Sequence, residues 1–282
     1  MTVTHPYPPH IPRLAPAAWL RQVLLAVGLA GAASAATAQA EPAPLKLALN
    51  QLAGQRVFFG HQSVGDNLLA GIQQLSQDAQ VTLPVVKVTS AADMKQAGIA
   101  HALVDENTLP LKKLQSFERA LATKAPGLQV AALKFCYVDV HAGTDVKQLF
   151  ARYQASMATV QAQQPGLRLV HFTVPLTTVQ TGWKASLKRL LGKAPHGILD
   201  NLKREEYNQL VRQSYGQTGF LYDLARVEQT RPDGSAHTVE WQGQQVPALF
   251  PDYSSDGEHL NTQGQLHAAR ALVTVLAKAS PP

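Results

Sequence analysis

Five short apolar runs, at 56–59, 81–88, 130–140, 168–174 and 220–223, alternate along this chain with longer segments whose apolar residues recur at helical spacing. The segment 64–74 sets Leu68, Leu69 and Ile72 on one face, and 111–123 does the same with Leu114, Phe117 and Leu121. Helices are predicted as well over Val146–Gln163 and 203–215, with a last one capped by Asn261 or Thr262. Runs that are apolar on both faces must be covered on both faces. The order β-α-β-α-β-α-β-α-β-α therefore predicts a mostly parallel sheet between two helical layers, a three-layer α/β/α fold.

Two stretches break this rhythm. Residues 177–200 carry Gly182, Gly192, Pro195 and Gly197 and read as a long excursion between a strand and its helix. Residues 231–251 begin with Pro232-Asp233-Gly234 and alternate through Val239-Glu240-Trp241 to Gly243 and Val246, the pattern of a small inserted β-hairpin. Both follow the carboxyl ends of strands, where open α/β sheets bind ligands, so they are the expected source of specificity. Each holds one tryptophan, Trp183 or Trp241, whose ring can stack on a sugar or pack its own loop; packing is the more frequent reason.

The first forty residues read as a leader. Arg13 and Arg21 precede the apolar run 23–30, and small residues follow as far as Ala38-Gln39-Ala40, the form of a secretory signal peptide cleaved before Glu41. Its apolar centre is shorter than the roughly 20 residues a membrane span needs, so no stable span is expected once it is removed. Residues 41–282 then form one domain in a periplasmic or secreted protein. Without the leader the formal charge falls from +6 to +4, with no basic tract of the kind nucleic acid requires. The excess gives only a weak preference for anionic surfaces or acidic polysaccharides. Cys136 is the single cysteine, so no internal disulfide forms, and its apolar neighbours mark it as a small buried hydrophobe.

Chemistry concentrates at two points far apart in sequence. After the first strand comes Gly60-His61-Gln62-Ser63, with Ser63 where strand hands over to helix; before the last helix comes Asp256-Gly257-Glu258-His259-Leu260-Asn261. A serine hydroxyl is a poor nucleophile unless a base takes its proton and a third group orients that base. Ser63, His259 and Asp256 supply these three roles, and a helix N-terminus behind Ser63 offers N–H groups to a developing oxyanion. Read singly, Ser63 is a plain helix N-cap and Asp256 to His259 a polar turn.

Together these motifs resemble the SGNH/GDSL hydrolase superfamily, whose nucleophile follows the first strand and whose Asp-x-x-His precedes the final helix. The resemblance runs from about Arg56 to Leu276 and takes in Tyr207-Asn208. It implies a flavodoxin-like SGNH hydrolase fold, no cofactor and no metal. This chain is a divergent example: Gly60-His61-Gln62-Ser63 replaces Gly-Asp-Ser, and Cys136-Tyr137-Val138-Asp139 stands where the family has Gly-x-Asn-Asp. The family's oxyanion asparagine is thus replaced by Val138. Asn107 could supply one missing donor and Asn67 or Gln62 another, while His61 could meet an acyl oxygen or shape the turn. Asp139 is expected near the site, bonded to loop amides.

The resemblance implies a serine esterase acting on a small acyl group, often acetyl, on a carbohydrate or lipid-like alcohol, through a Ser63 acyl-enzyme. Two other functions fit the same residues: a periplasmic O-acyltransferase that passes the acyl group to a sugar, and a catalytically silent carbohydrate-binding protein.

Overall fold

The computed structural model describes residues 42–280; the leader assignment therefore lies outside the described residues. Six strands form one parallel sheet: β1 (Arg56–His61), β2 (Val85–Lys87), β3 (Gly98–Leu103), β4 (Val130–Leu133), β5 (Arg168–Phe172) and β6 (Leu221–Tyr222), in the order β2-β3-β1-β4-β5-β6. Apart from the short edge strand β2, this is the flavodoxin-like order, with β1 beside the switch point.

Side-chain alternation along β1 assigns the two faces. Val57 and Phe59 join a core built with α1 (Pro42–Ala53), α2 (Val64–Asp78) and α8 (Thr262–Ala279). Phe58 points the other way, into a core with α3 (Pro110–Ala122), α4 (Val146–Gln163) and α6 (Ile198–Tyr215). These are the three expected layers. Two further helices, α5 (Gly182–Leu190) and α7 (Leu224–Gln229), lie in the connections after β5 and β6, and the expected hairpin is β7 (Thr238–Trp241) with β8 (Gln244–Pro247). Trp241 is buried there with Val246, Val179 and Ile198.

Three expectations need correction. The run 81–88 yields only the edge strand β2, because Pro84 lacks an N–H; the strand beside β1 is instead β3, whose sequence Gly-Ile-Ala-His-Ala-Leu has weak β-propensity. Position overrides propensity here, since β3 has ladder partners on both sides. The run 130–140 is a strand only to Leu133. Lys134 N–H donates the last ladder bond to Gly60 O, and the chain then turns through a 3₁₀ segment at Tyr137–Asp139. Finally, the excursion 177–200 contains α5, and α1 has no counterpart in the predicted order.

Candidate active site

Ser63 follows the carboxyl end of β1 and is the N-cap of α2, yet its side chain makes no capping bond. Its backbone adopts φ 48° and ψ −101°, a region that L-residues avoid. Close approach makes this turn possible: a Cβ on Gly65 would lie 2.4 Å from the His61 ring, so only glycine lets the first turn of α2 sit over that histidine. The hydroxyl is presented outward instead, 2.7 Å from His259 Nε2.

His259 is oriented from behind. Its Nδ1 lies 2.8 Å from Asp256 Oδ2, and since a carboxylate only accepts, Nδ1 carries the proton and Nε2 is left to accept from Ser63 Oγ–H. The loop closes on itself: Asp256 Oδ1 accepts from the N–H groups of Glu258 and His259, both at 2.8 Å, and Ser254 Oγ donates to His259 O at 2.7 Å. The His259 N–H bond, with help from the Glu258 N–H and the imidazole, holds the Asp256 carboxyl well below the usual carboxylate range. Asn261 caps α8 through Gly264 N–H at 3.0 Å. Gly257 has φ 88°, and a Cβ there would meet Thr178 Oγ1 at 2.5 Å; Thr178 N–H also donates to Gly257 O at 2.8 Å. The first excursion thus leaves from beneath the 256–259 loop.

Tyr137 packs edge-on against the His259 ring, with centroids 5.7 Å apart, and its hydroxyl donates to Glu258 Oε2 at 2.6 Å. Burial, then the Glu258 carboxylate, pushes its pKa up. Sequence reasoning missed this contact because Tyr137 was absorbed into an over-long strand; the polar pair Lys134 and Asp139 inside that run was the signal available. Arg204 of α6 fixes the same turn, donating to the carbonyls of Tyr137 and Val140 at 3.0 and 3.1 Å.

The candidate oxyanion and substrate residues separate into four groups. Asn107 is exposed, and its Oδ1 accepts from Lys113 Nζ at 2.8 Å, which leaves its NH₂ end as the free donor. Lys113 is itself fixed by Asp139, 2.7 Å away with both side chains at 0% exposure. Asp139 also accepts from Cys136 N–H at 2.6 Å and Thr108 N–H at 3.0 Å, the loop-amide role expected of it. Asn67 and Gln62 are tethers: Asn67 Oδ1 accepts from Leu260 N–H at 3.1 Å, and Gln62 Nε2 donates to Asp105 O at 2.5 Å. That second bond uses one of the two N–H donors of the Gln62 amide. Of the two roles open to His61, shaping the turn fits its placement, since it is fully buried and stacked on Phe59.

His61 Nε2 and His101 Nδ1 lie 2.9 Å apart and share a hydrogen bond. Burial, followed by the nearby cations Lys134 and Lys87 and the neighbouring His101, pushes the His61 imidazole down to about 2, so it is neutral. Asp66 comes close enough that the three ligand atoms fall within 4.8 Å. These are the residues that could hold a metal ion, but the two ring nitrogens already bond one another. Lys87, paired with His101 across the ladder, adds a positive charge beside them.

The triad lies in the open, with His259 and Asp256 side chains 40% and 55% exposed. A cavity of about 490 Å³ lies elsewhere, against the β2 edge between Pro84 and Ala100. What the fold and site define is a flavodoxin-like α/β/α protein with a Ser-His-Asp hydrogen-bond chain at the carboxyl edge of its sheet. No family model and no curated protein matches the sequence. Solved structures similar to it include a Streptococcus pneumonia protein provisionally named as a platelet activating factor, 13% identical, covering 84% of this chain and 92% of its own, TM-score 0.46. Another is a Desulfitobacterium hafniense protein provisionally named as lipolytic and of the G-D-S-L family, 8% identical, covering 78% and 99%, TM-score 0.44. A third is the periplasmic domain of a lipopolysaccharide acetyltransferase from Salmonella ser. Paratyphi A, 12% identical, covering 79% and 84%, TM-score 0.41.

Proposed function

We propose that this chain is a divergent SGNH/GDSL-type serine esterase, exported with residues 1–40 as its leader, that removes a small acyl group from a larger alcohol. The observation that carries the reading is the unbroken hydrogen-bond chain from Ser63 through His259 to Asp256. Ser63 Oγ attacks the ester carbonyl carbon while its proton passes to His259 Nε2, and Asp256 stabilises the imidazolium. The oxyanion is met by N–H groups at the start of α2 and by the free amide of Asn107. As the tetrahedral intermediate collapses, the alcohol leaves with the proton from His259 and the acyl group stays on Ser63. Water, deprotonated by His259, then releases the acid and restores the serine.

The exposed base supports a substrate presented by a larger body, since a small free ester is ordinarily enclosed by its pocket. Treatment with a fluorophosphonate probe tests the reading. Labelling of the wild type that is lost in Ser63→Ala and His259→Ala is expected, and labelling that survives Ser63→Ala would overturn it. Hydrolysis of aryl acetates with and without sugar acceptors then separates water from a sugar as acceptor; product dominated by acylated sugar counts against hydrolysis.

A further inference from the structure

Helix α5 hangs from the first excursion by a narrow stem. Gln180 N–H donates to His196 O at 3.0 Å, closing the excursion at its base, and Lys188 Nζ reaches back to Gln180 Oε1 at 2.8 Å. Within the helix only Ala185 is buried. Nine residues are too few for a stable helix in water on their own, so an element this poorly supported invites the question of what else covers it.

Its outer face answers in part. At 3.6 residues per turn Trp183, Leu187 and Leu190 fall within roughly 60° of one another, nearly opposite Ala185, with Leu191 beside them. The apolar stripe therefore points away from the protein: Trp183 is 72% exposed, Leu190 83% and Leu191 63%. The expectation that Trp183 packs its own loop is thus corrected, whereas Trp241 does pack the second excursion. Every charge from Thr181 to Leu199 is positive, namely Lys184, Lys188, Arg189 and Lys193. Lys184 flanks the stripe beside Leu191, while Lys188 and Arg189 fall on either side of Ala185.

We propose that α5 is an interfacial helix that docks on a bilayer surface carrying anionic lipid headgroups. Trp183, Leu187, Leu190 and Leu191 enter the boundary between headgroups and acyl chains, and Lys184 and Lys193 pair with lipid phosphates. A tryptophan within an apolar stripe, with cations beside and beyond it, is what such an interface selects. A second copy of the chain is a poorer occupant, because pairing two such faces sets four cations against four with no acidic residue between them. The inference is independent of the Ser63 chemistry.

Bromine-labelled vesicles test it with a readout specific to this helix. The full chain and Trp183→Phe are mixed with vesicles of brominated phosphatidylglycerol or brominated phosphatidylcholine, and the difference in tryptophan quenching isolates Trp183. Quenching is expected on phosphatidylglycerol, abolished by Leu187→Ser/Leu190→Ser, and reduced by about tenfold or more in apparent affinity by Lys184→Glu/Lys193→Glu. Unaltered probe labelling of Ser63 and an unaltered melting curve in these variants would show that only the docking face was changed. Trp183 left unquenched on phosphatidylglycerol overturns the proposal. So does equal quenching on both lipids, or a dimer in sedimentation with Trp183 shielded before any vesicle is added.

Discussion

The two sides of the candidate site are built on opposite plans. On the base side, residues 256–261 carry the orienting carboxylate, the imidazole and the cap of α8 in one stretch and close most of their hydrogen bonds among themselves, in contact with water. On the proposed oxyanion side, Asn107 depends on Lys113, which depends on Asp139, which in turn holds Cys136 and Thr108, through an ion pair with no exposure at all. The first plan makes chemistry nearly separable from folding. The second ties the geometry of one donor to a buried charge pair, so that damage there spreads to the whole domain.

The largest test of this contrast is at the wet side. Ser63→Ala and His259→Ala should each lower kcat by about 10⁴–10⁶-fold, with only minor change in thermal midpoint; aryl acetate hydrolysis and a melting curve on the same samples measure both. A large fall in stability with His259→Ala would break the contrast. Asp139→Ala should do the reverse, leaving the Lys113 ammonium buried and unpaired at a cost of about 3–5 kcal/mol, read by urea unfolding. Asn107→Ala should lower kcat by about 10²–10³-fold with little change in KM, and should cost about 1–3 kcal/mol of stability because it also removes an acceptor of the buried Lys113 ammonium.

The smallest effect concerns Glu228 of α7, another member of the dry layer, whose Oε2 accepts from Leu176 N–H at 2.6 Å. Burial pushes this carboxyl up from 4.5 to about 8. Between those values the folded state holds a proton that the unfolded chain releases, so stability is fullest below 4.5 and is lost as pH rises through about 8. Glu228→Gln keeps an acceptor for Leu176 and removes the charge. Its melting temperature should exceed the wild type by an amount that grows from pH 5 to pH 8.5, each kcal/mol being worth about 2–4 °C in a chain of this size. A constant difference across that range would show that Glu228 is ionised throughout.

The same contrast explains what could be read from the sequence. Asp256 and His259 are legible because they are three residues apart and cap a helix, and Ser63 becomes legible once they are found. Lys113 and Asp139 are separated by a helix and a strand, and no local pattern records that they meet. Tyr137 was hidden in an apolar run whose strand stops at Leu133; after the last ladder bond, from Lys134 to Gly60, the chain turns into a 3₁₀ segment that Asp139 holds through Cys136 N–H. β3 was invisible for a related cause: a strand flanked on both sides can be built from alanine, glycine and histidine. The layers themselves were legible, because covering both faces of a sheet leaves a mark on every strand. Exposure was not, as the opposite fates of Trp183 and Trp241 demonstrate.

The backbone at Ser63 is a point of strain within the fold. An L-residue held at φ 48° costs on the order of 1–3 kcal/mol that glycine would largely escape, and its hydroxyl returns no capping bond. Ser63→Gly should therefore melt higher than Ser63→Ala. In the intact protein the same tension favours opening of the first turn of α2 while the sheet is still whole. Warmed gradually, the protein should therefore loosen at Ser63 before its sheet unfolds.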